Sequence, residues 1–150
     1  AADQHEPGQP VWEWLRRIGA DLLDYLEHLR GRLDAIGRQA ETWSLGEGGS
    51  APLALFIPRT EPLPEEPSAG IGHYLREVGL ETTVVATIYP DRRGPGYGLR
   101  RWGDDPRVDF TRIEGQPDVH FAHKQGFIAK TSATDPARLR HLAQRALGAS

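Results

Sequence analysis

The sequence predicts an α+β fold. It comprises an N-terminal helical section, a mixed or mostly antiparallel sheet of about five strands with helices packed on one side of it, and a C-terminal helix. Three observations carry this expectation. Apolar residues recur at spacings of three and four through residues 11–43, the period of an amphipathic helix. Short β-branched or apolar runs separated by Gly- and Pro-rich turns follow, and strands joined by short turns pair antiparallel. A final segment carries a helix start signal and a single apolar face.

Residues 1–9 are polar, with a Pro and a Gly, and read as a flexible arm ahead of a single domain spanning 10–150. Pro10 suits the first turn of a helix. Behind it Trp14, Leu15, Ile18, Leu22, Tyr25, Leu26, Leu29 and Leu33 form a stripe that continues through Ile36 and Ala40 to Trp43. The helical section is therefore expected to run to about residue 43 and to close at the glycines of 46–49, where helix continuation is costly. Residues 52–57 are a short apolar run bounded by prolines and read as a buried strand. Residues 58–69, with four prolines, are a surface loop, and 71–78 fit a short helix ending at Gly79.

The clearest strand is 81–89, where Thr82, Thr83, Val84, Val85, Thr87 and Ile88 are β-branched. Residues 90–96 are a turn cluster and 97–102 a returning strand. A brief extended piece is expected at 107–110, and two more strands at 119–123 and 126–131. Thr134 is expected to cap the last helix, with Asp135 and Pro136 in its first turn and Leu139, Leu142, Ala143, Ala146 and Leu147 on one face.

A chain of 150 residues can bury roughly 70% of its unfolded surface, enough for one core. It contains no cysteine, which removes disulfides, thiolate nucleophiles and cysteine-type zinc sites. No apolar run is long enough to span a bilayer. No basic segment leads into an apolar stretch at the start, and a cytoplasmic location is expected. Methionine is also absent, the initiator included, which suggests that residue 1 is not the start of the natural product. Residues 1–75 hold twelve acids and six arginines, net −6, whereas 76–150 hold nine acids and twelve cations, net +3. The second half is the candidate for an anionic ligand.

The only two lysines, Lys124 and Lys130, both fall within residues 123–131, just after His120. With His123, Gly126 and Thr131 they crowd one expected hairpin. Ammonium, imidazole and hydroxyl groups together suit phosphate or carboxylate oxygens. Arg100 and Arg101 alternate faces on the neighbouring strand, so one of them joins the same surface. The expected ligand-binding residues are Arg100, His120, His123, Lys124, Gly126, Lys130 and Thr131. The competing reading is a pair of solvated lysines that blunt a sheet edge.

Other chemistry is less well supported. On a strand, His120 and His123 point to opposite faces unless a bulge or the turn redirects one, so they do not grip a metal ion together with Asp118. Asp104 and Asp105 would need burial to push their pKa values apart for acid–base work. Residues 95–98 resemble a phosphate loop but lead into no helix. No Gly-x-Ser-x-Gly is present, and three of the four tryptophans lie in the acidic helical section, as core or interface anchors.

The second half has a recognisable order. A β-branched strand carries Tyr89-Pro90-Asp91 and Gly94, and Tyr97-Gly98-Leu99-Arg100 returns. Asp118-Val119-His120-Phe121-Ala122-His123 then leads into Gly126-Phe127-Ile128-Ala129. Over residues 81–131 this resembles the C-terminal region of DHH-superfamily phosphoesterases, particularly the melanocyte-proliferating-gene type exonucleases. The resemblance implies a substrate-side domain whose divalent metal and catalytic residues belong to a separate partner domain. It also implies that His123, Gly126 and Lys130 face phosphates. The chain departs from the family in having no Asp-His-His triplet and no Gly-Gly-His signature.

The expected function is thus recognition of a phosphorylated ligand, a nucleotide or short oligonucleotide, without catalysis or cofactor in this chain alone. The alternatives are a small self-sufficient hydrolase using His120 or His123 as general base, or an interaction module. Such a module would dock a partner domain or a second copy through its N-terminal helical section. No membrane association is expected.

Overall fold

A computed structural model describes residues 10–64 and 66–148; residues 1–9, read above as a flexible arm, lie outside them. Helix α1 runs over Pro10–Gln39 and is followed at once by strand β1, Glu41–Ser44. Strand β2 is Leu53–Phe56, α2 Ile71–Glu77, β3 Val84–Pro90 and β4 Tyr97–Arg101. A short 3-10 helix, Phe110–Ile113, precedes β5 (Val119–Ala122), β6 (Ile128–Thr131) and α3 (Pro136–Ala146). The six strands form one mixed sheet in the order β1-β2-β3-β4-β6-β5. β2 and β3 are parallel, with α2 in the crossover that parallel pairing requires, and every other pair is antiparallel. The fold is α+β.

Four sequence expectations are corrected. The helix stops at Gln39, and Trp43 belongs to a sixth strand, where it pairs with Ala54 and stacks on Phe56 at 4.4 Å between ring centroids. Trp43 continues the helical stripe, but Trp43 and Leu45 equally satisfy a period of two, and burial against the sheet decides between them. The extended piece expected at 107–110 joins no strand: Arg107 lies in a turn, and Phe110 already opens the 3-10 helix, started by Asp109, whose carboxylate accepts from the Thr111 amide at 3.0 Å. The cap of α3 is Asp135, not Thr134. Its carboxylate accepts from the Arg138 amide at 3.2 Å, which places Pro136 at the first helical position, where no amide donor is needed.

The fourth correction concerns layering: helices cover both faces of the sheet. On β2, Ala54 and Phe56 point into a core shared with Leu139, Leu142, Ala143 and Ala146 of α3. Leu55 and its neighbour Ile57 point the other way, onto Ile36 of α1 and Ile71 and Leu75 of α2. Alternation along a single strand thus feeds two cores. The α3 core extends across the sheet through Ala86, Ile88, Tyr97, Leu99 and Ala129. The other face is covered only where α1 and α2 reach it.

Among the described residues, the contacts that hold α1 to the sheet lie at its C-terminal end. Leu33 and Ile36 are its buried residues. Arg32 donates to the carbonyls of Ala69 and Pro67 at 2.9 and 2.6 Å, and Arg30 forms a forked pair with Glu77 of α2 at 2.9 and 2.8 Å.

Candidate anion-binding site on the open half of the sheet

Register determines what lies on the uncovered half-face. Directly opposed residues share a face, and β4 sets Gly98 against Lys130 and Arg100 against Ile128. Tyr89 of β3 opposes Gly98 on the other side, and Phe121 of β5 opposes Lys130. One surface therefore carries Tyr89, Gly98, Arg100, Phe121, Ile128 and Lys130. Gly98 is what lets the Tyr89 ring lie across β4, because a Cβ there would stand 3.1 Å from the ring. The two cations flank the glycine from adjoining strands.

Lys130 lines a shallow pocket of about 210 Å³ with Ser68, Tyr89, Asp91, Gly98 and Ile128. Its ammonium stands 3.8 Å from the Asp91 carboxylate, itself only 10% exposed. That is an ion pair beyond hydrogen-bond length, and among the described residues no hydrogen bond occupies the ammonium. Arg100 is exposed, lines an adjoining pocket of about 400 Å³ with Trp102 and Phe127, and has no described carboxylate within 4 Å. Burial pushes the Tyr89 hydroxyl above its ordinary pKa, partly opposed by the nearby Arg100 guanidinium. The phenol is held neutral beside the Arg100 guanidinium.

The rim is held by Arg59. Its guanidinium donates to the carbonyls of Asp91, Gly94 and Gly96 at 3.0, 2.8 and 2.7 Å, and its amide donates to the Tyr97 hydroxyl at 3.0 Å. This ties the loop after β2 to the β3–β4 turn. Gly96 is obligatory in that turn, since a Cβ would run into the Thr131 carbonyl.

The structure brings Arg100 and Lys130 onto one surface and separates them from the rest of the expected set. Lys124 sits exposed in the β5–β6 turn, four residues of strand and turn beyond Ile128. His123 also lies in that turn, its Nδ1 accepting from the Gln125 amide at 3.1 Å and its ring against Phe127 at 4.3 Å. Gly126 has φ +77°, and a Cβ there would collide with the Asp109 carboxylate; its role is close approach to the 3-10 helix. Thr131 is fully buried, donating to the Asp118 carbonyl at 2.7 Å and accepting from the Ala133 amide at 3.0 Å.

His120 is exposed at an irregularity, where Val119 pairs with Thr131 but Phe121 pairs with Lys130. This bulge removes the simple alternation expected for His120 and His123. Asp118 turns instead to α3, where Arg138 grips it with two bonds of 2.8 Å and holds its carboxyl below the usual range. Among the described residues, no three His, Asp or Glu side chains converge to hold a metal ion. Asp105 is held ionised by Arg107, the opposite of what a general acid needs. Arg101, the alternate of Arg100, staples loops by donating to the Val108 carbonyl at 2.8 Å and to Asp104 at 3.1 Å.

Sequence reasoning did not single out Tyr89 as a ligand contact, nor Ser68, Asp91 or Arg59. The Tyr-Pro-Asp run was visible, but its relation to Lys130 passes through β4 and depends on a register that spacing along the chain does not encode. Comparison with family models, with curated proteins and with solved structures finds no match for this chain. No described helix is long and apolar enough to cross a membrane.

Proposed function

We propose that this chain is a recognition module for a phosphorylated ligand, a nucleotide or short oligonucleotide, bound on the open half-face of the sheet. The observation that carries the reading is the diagonal placement of Lys130 and Arg100 on β6 and β4, on the same face of the sheet as Gly98 and Tyr89. An ammonium supplies a point charge and a guanidinium a planar fork, which together suit a phosphate. Tyr89, Phe121 and the Trp102–Phe127 pocket offer apolar surface beside it for a base or sugar. In this reading the chain corresponds to the substrate-side domain of a DHH-type phosphoesterase, and the divalent metal and bond cleavage belong to a partner domain.

Calorimetric titration with adenosine monophosphate and a 5′-phosphorylated dinucleotide tests this. Saturable binding is expected that weakens with salt and falls at least ~10-fold in Arg100→Ala or Lys130→Ala, the loss of one charge-assisted contact. Binding unchanged in both variants, or none at all, would refute it. Manganese-dependent turnover by the 150 residues, lost in His120→Ala or His123→Ala, would favour the self-sufficient hydrolase instead.

A further inference from the structure

We propose that the free part of α1 pairs antiparallel with the same segment of a second copy of this chain, making the protein a dimer through a two-helix seam. The inference does not depend on the anion site. Over residues 10–30, roughly 30 Å of helix at the usual rise, no residue is buried as a whole, although Val11, Trp12 and Leu29 are half-buried and the Trp12 indole nitrogen is out of solvent. Yet this stretch is rich in large apolar groups: Trp14 is 59% exposed, Leu15 48%, Ile18 44%, Leu22 55%, Tyr25 56% and Leu26 47%. A helix of this length held at one end is marginal in water by itself, and Gly19, with nothing within 4 Å of its missing Cβ, weakens it further.

The spacing within the stripe identifies the occupant. Leu15, Leu22 and Leu29 recur every seven residues, and so do Val11, Ile18 and Tyr25 four residues before each. Two such interleaved series are the pattern of a helix that packs against another helix with knobs in holes. In an antiparallel pair the two series meet each other. Ile18 then packs on Leu22 of the second copy, Leu15 on its Tyr25 and Val11 on its Leu29, so every layer is apolar. Trp14 and Leu26 widen the seam, whereas Leu23 lies outside it.

The position of the folded body selects the direction. α1 meets the sheet at Leu33 and Ile36, beyond the C-terminal end of the stripe. A parallel pair would bring both bodies together at one end of the seam, whereas an antiparallel pair sets them at opposite ends.

Size agrees as well. Six half-exposed side chains offer on the order of 500 Å² of apolar surface per arm at the usual area per side chain. With apolar atoms making up about 60% of an interface, that corresponds to roughly 800 Å² per partner, the standard size of a stable contact. A membrane surface is the poorer occupant. The polar side carries four acids (Glu13, Asp21, Asp24, Glu27) against three arginines (Arg16, Arg17, Arg30), and helices that lie on bilayers are basic.

Sedimentation and light scattering of the whole chain test the pairing. The expected mass at micromolar concentration is twice 16.6 kDa. Leu22→Glu or Ile18→Glu, each at an exposed position, is expected to weaken association by on the order of 100-fold or more, with the hydrogen-exchange protection of the sheet amides unchanged. The chain has no cysteine, so direction is read by oxidation. Ile18→Cys mixed with Leu22→Cys is expected to crosslink, and Leu22→Cys alone is not. A mass of 16.6 kDa throughout, a dimer that survives both glutamate variants, crosslinking of Leu22→Cys with itself, or a monomer captured by anionic vesicles would each overturn the proposal.

Discussion

One face of the sheet divides into two halves with the same pleat and different contents. Over β2 and β3 it presents Leu53, Leu55 and Val84, sealed by Ile36, Ile71 and Leu75 from α1 and α2. Over β4 and β6 the corresponding positions are Gly98, Arg100, Ile128 and Lys130, and no helix lies on them. The opposite face is mostly apolar under α3, with the hydrogen-bonded Thr131 buried in it and Arg101 at its margin. A strand position that must meet a helix is aliphatic, because each buried side chain contributes about 1.5–3 kcal/mol. A position left in water is free to carry charge. The open half is therefore where stability places the weakest demands and where a ligand can be recognised.

The comparison is broken most directly by Leu55→Ala, which removes a fully buried side chain from the closed half. It is expected to cost about 2–5 kcal/mol, read as a fall in denaturation midpoint at constant m-value. A cost under about 1 kcal/mol would mean that α1 and α2 do not seal that half. Gly126→Ala comes next, because it combines a left-handed backbone with the Asp109 collision. A loss of about 1–3 kcal/mol is expected, with ligand binding unaffected if Gly126 serves packing alone.

Asp118→Asn tests the α3 side. Removing the charge from the forked Arg138 pair, both partners about three-quarters buried, is expected to cost about 1–2 kcal/mol near neutral pH. Arg138 depresses the folded-state pKa of Asp118 below 3.8. The pair's contribution is therefore present above the unfolded carboxylate value and is lost as pH falls through the depressed one. The gap between wild type and variant should close in that acid range. A gap independent of pH would show that packing, not charge, is the source.

Smaller effects belong to exposed positions. Gly31→Ala, in α1 with nothing within 4 Å of the added methyl, should stabilise by about 0.5–1 kcal/mol. Arg100→Ala should change stability by less than about 0.5 kcal/mol while weakening nucleotide binding. An Arg100→Ala variant as destabilised as Leu55→Ala would erase the distinction between the halves.

How much of this was legible beforehand differs by level. The stripe of α1, the β-branched run of β3 and the apolar face of α3 were readable because each is a local preference repeated over several residues, whereas the cap of α3 falls one residue later than expected. The end of α1 was not, because Trp43 satisfies both periods and only its stacking on Phe56 chooses. The sequence left open whether Arg100 or Arg101 shares a face with Lys130, and the β4–β6 register chooses Arg100. Their separation from Lys124, the burial of Thr131 and the packing role of Gly126 were not readable. Each of these depends on a contact distant in sequence: the 3-10 helix with Gly126, and the Asp118 carbonyl with Thr131.

By itself, then, the chain of residues determined which segments coil and which extend, the lopsided charge of its two halves, and a small group of cations from which a site could be drawn. Those follow from sterics and solvation acting over a few residues at a time. Tertiary structure alone decided that one sheet would be clad by helices on both sides yet keep Arg100 and Lys130 in reach of solvent over β4 and β6, that Tyr89 would lie across Gly98, and that the apolar stripe of α1 would stay exposed. Strand register and helix placement come from burying surfaces far apart in the chain, and no local pattern records them.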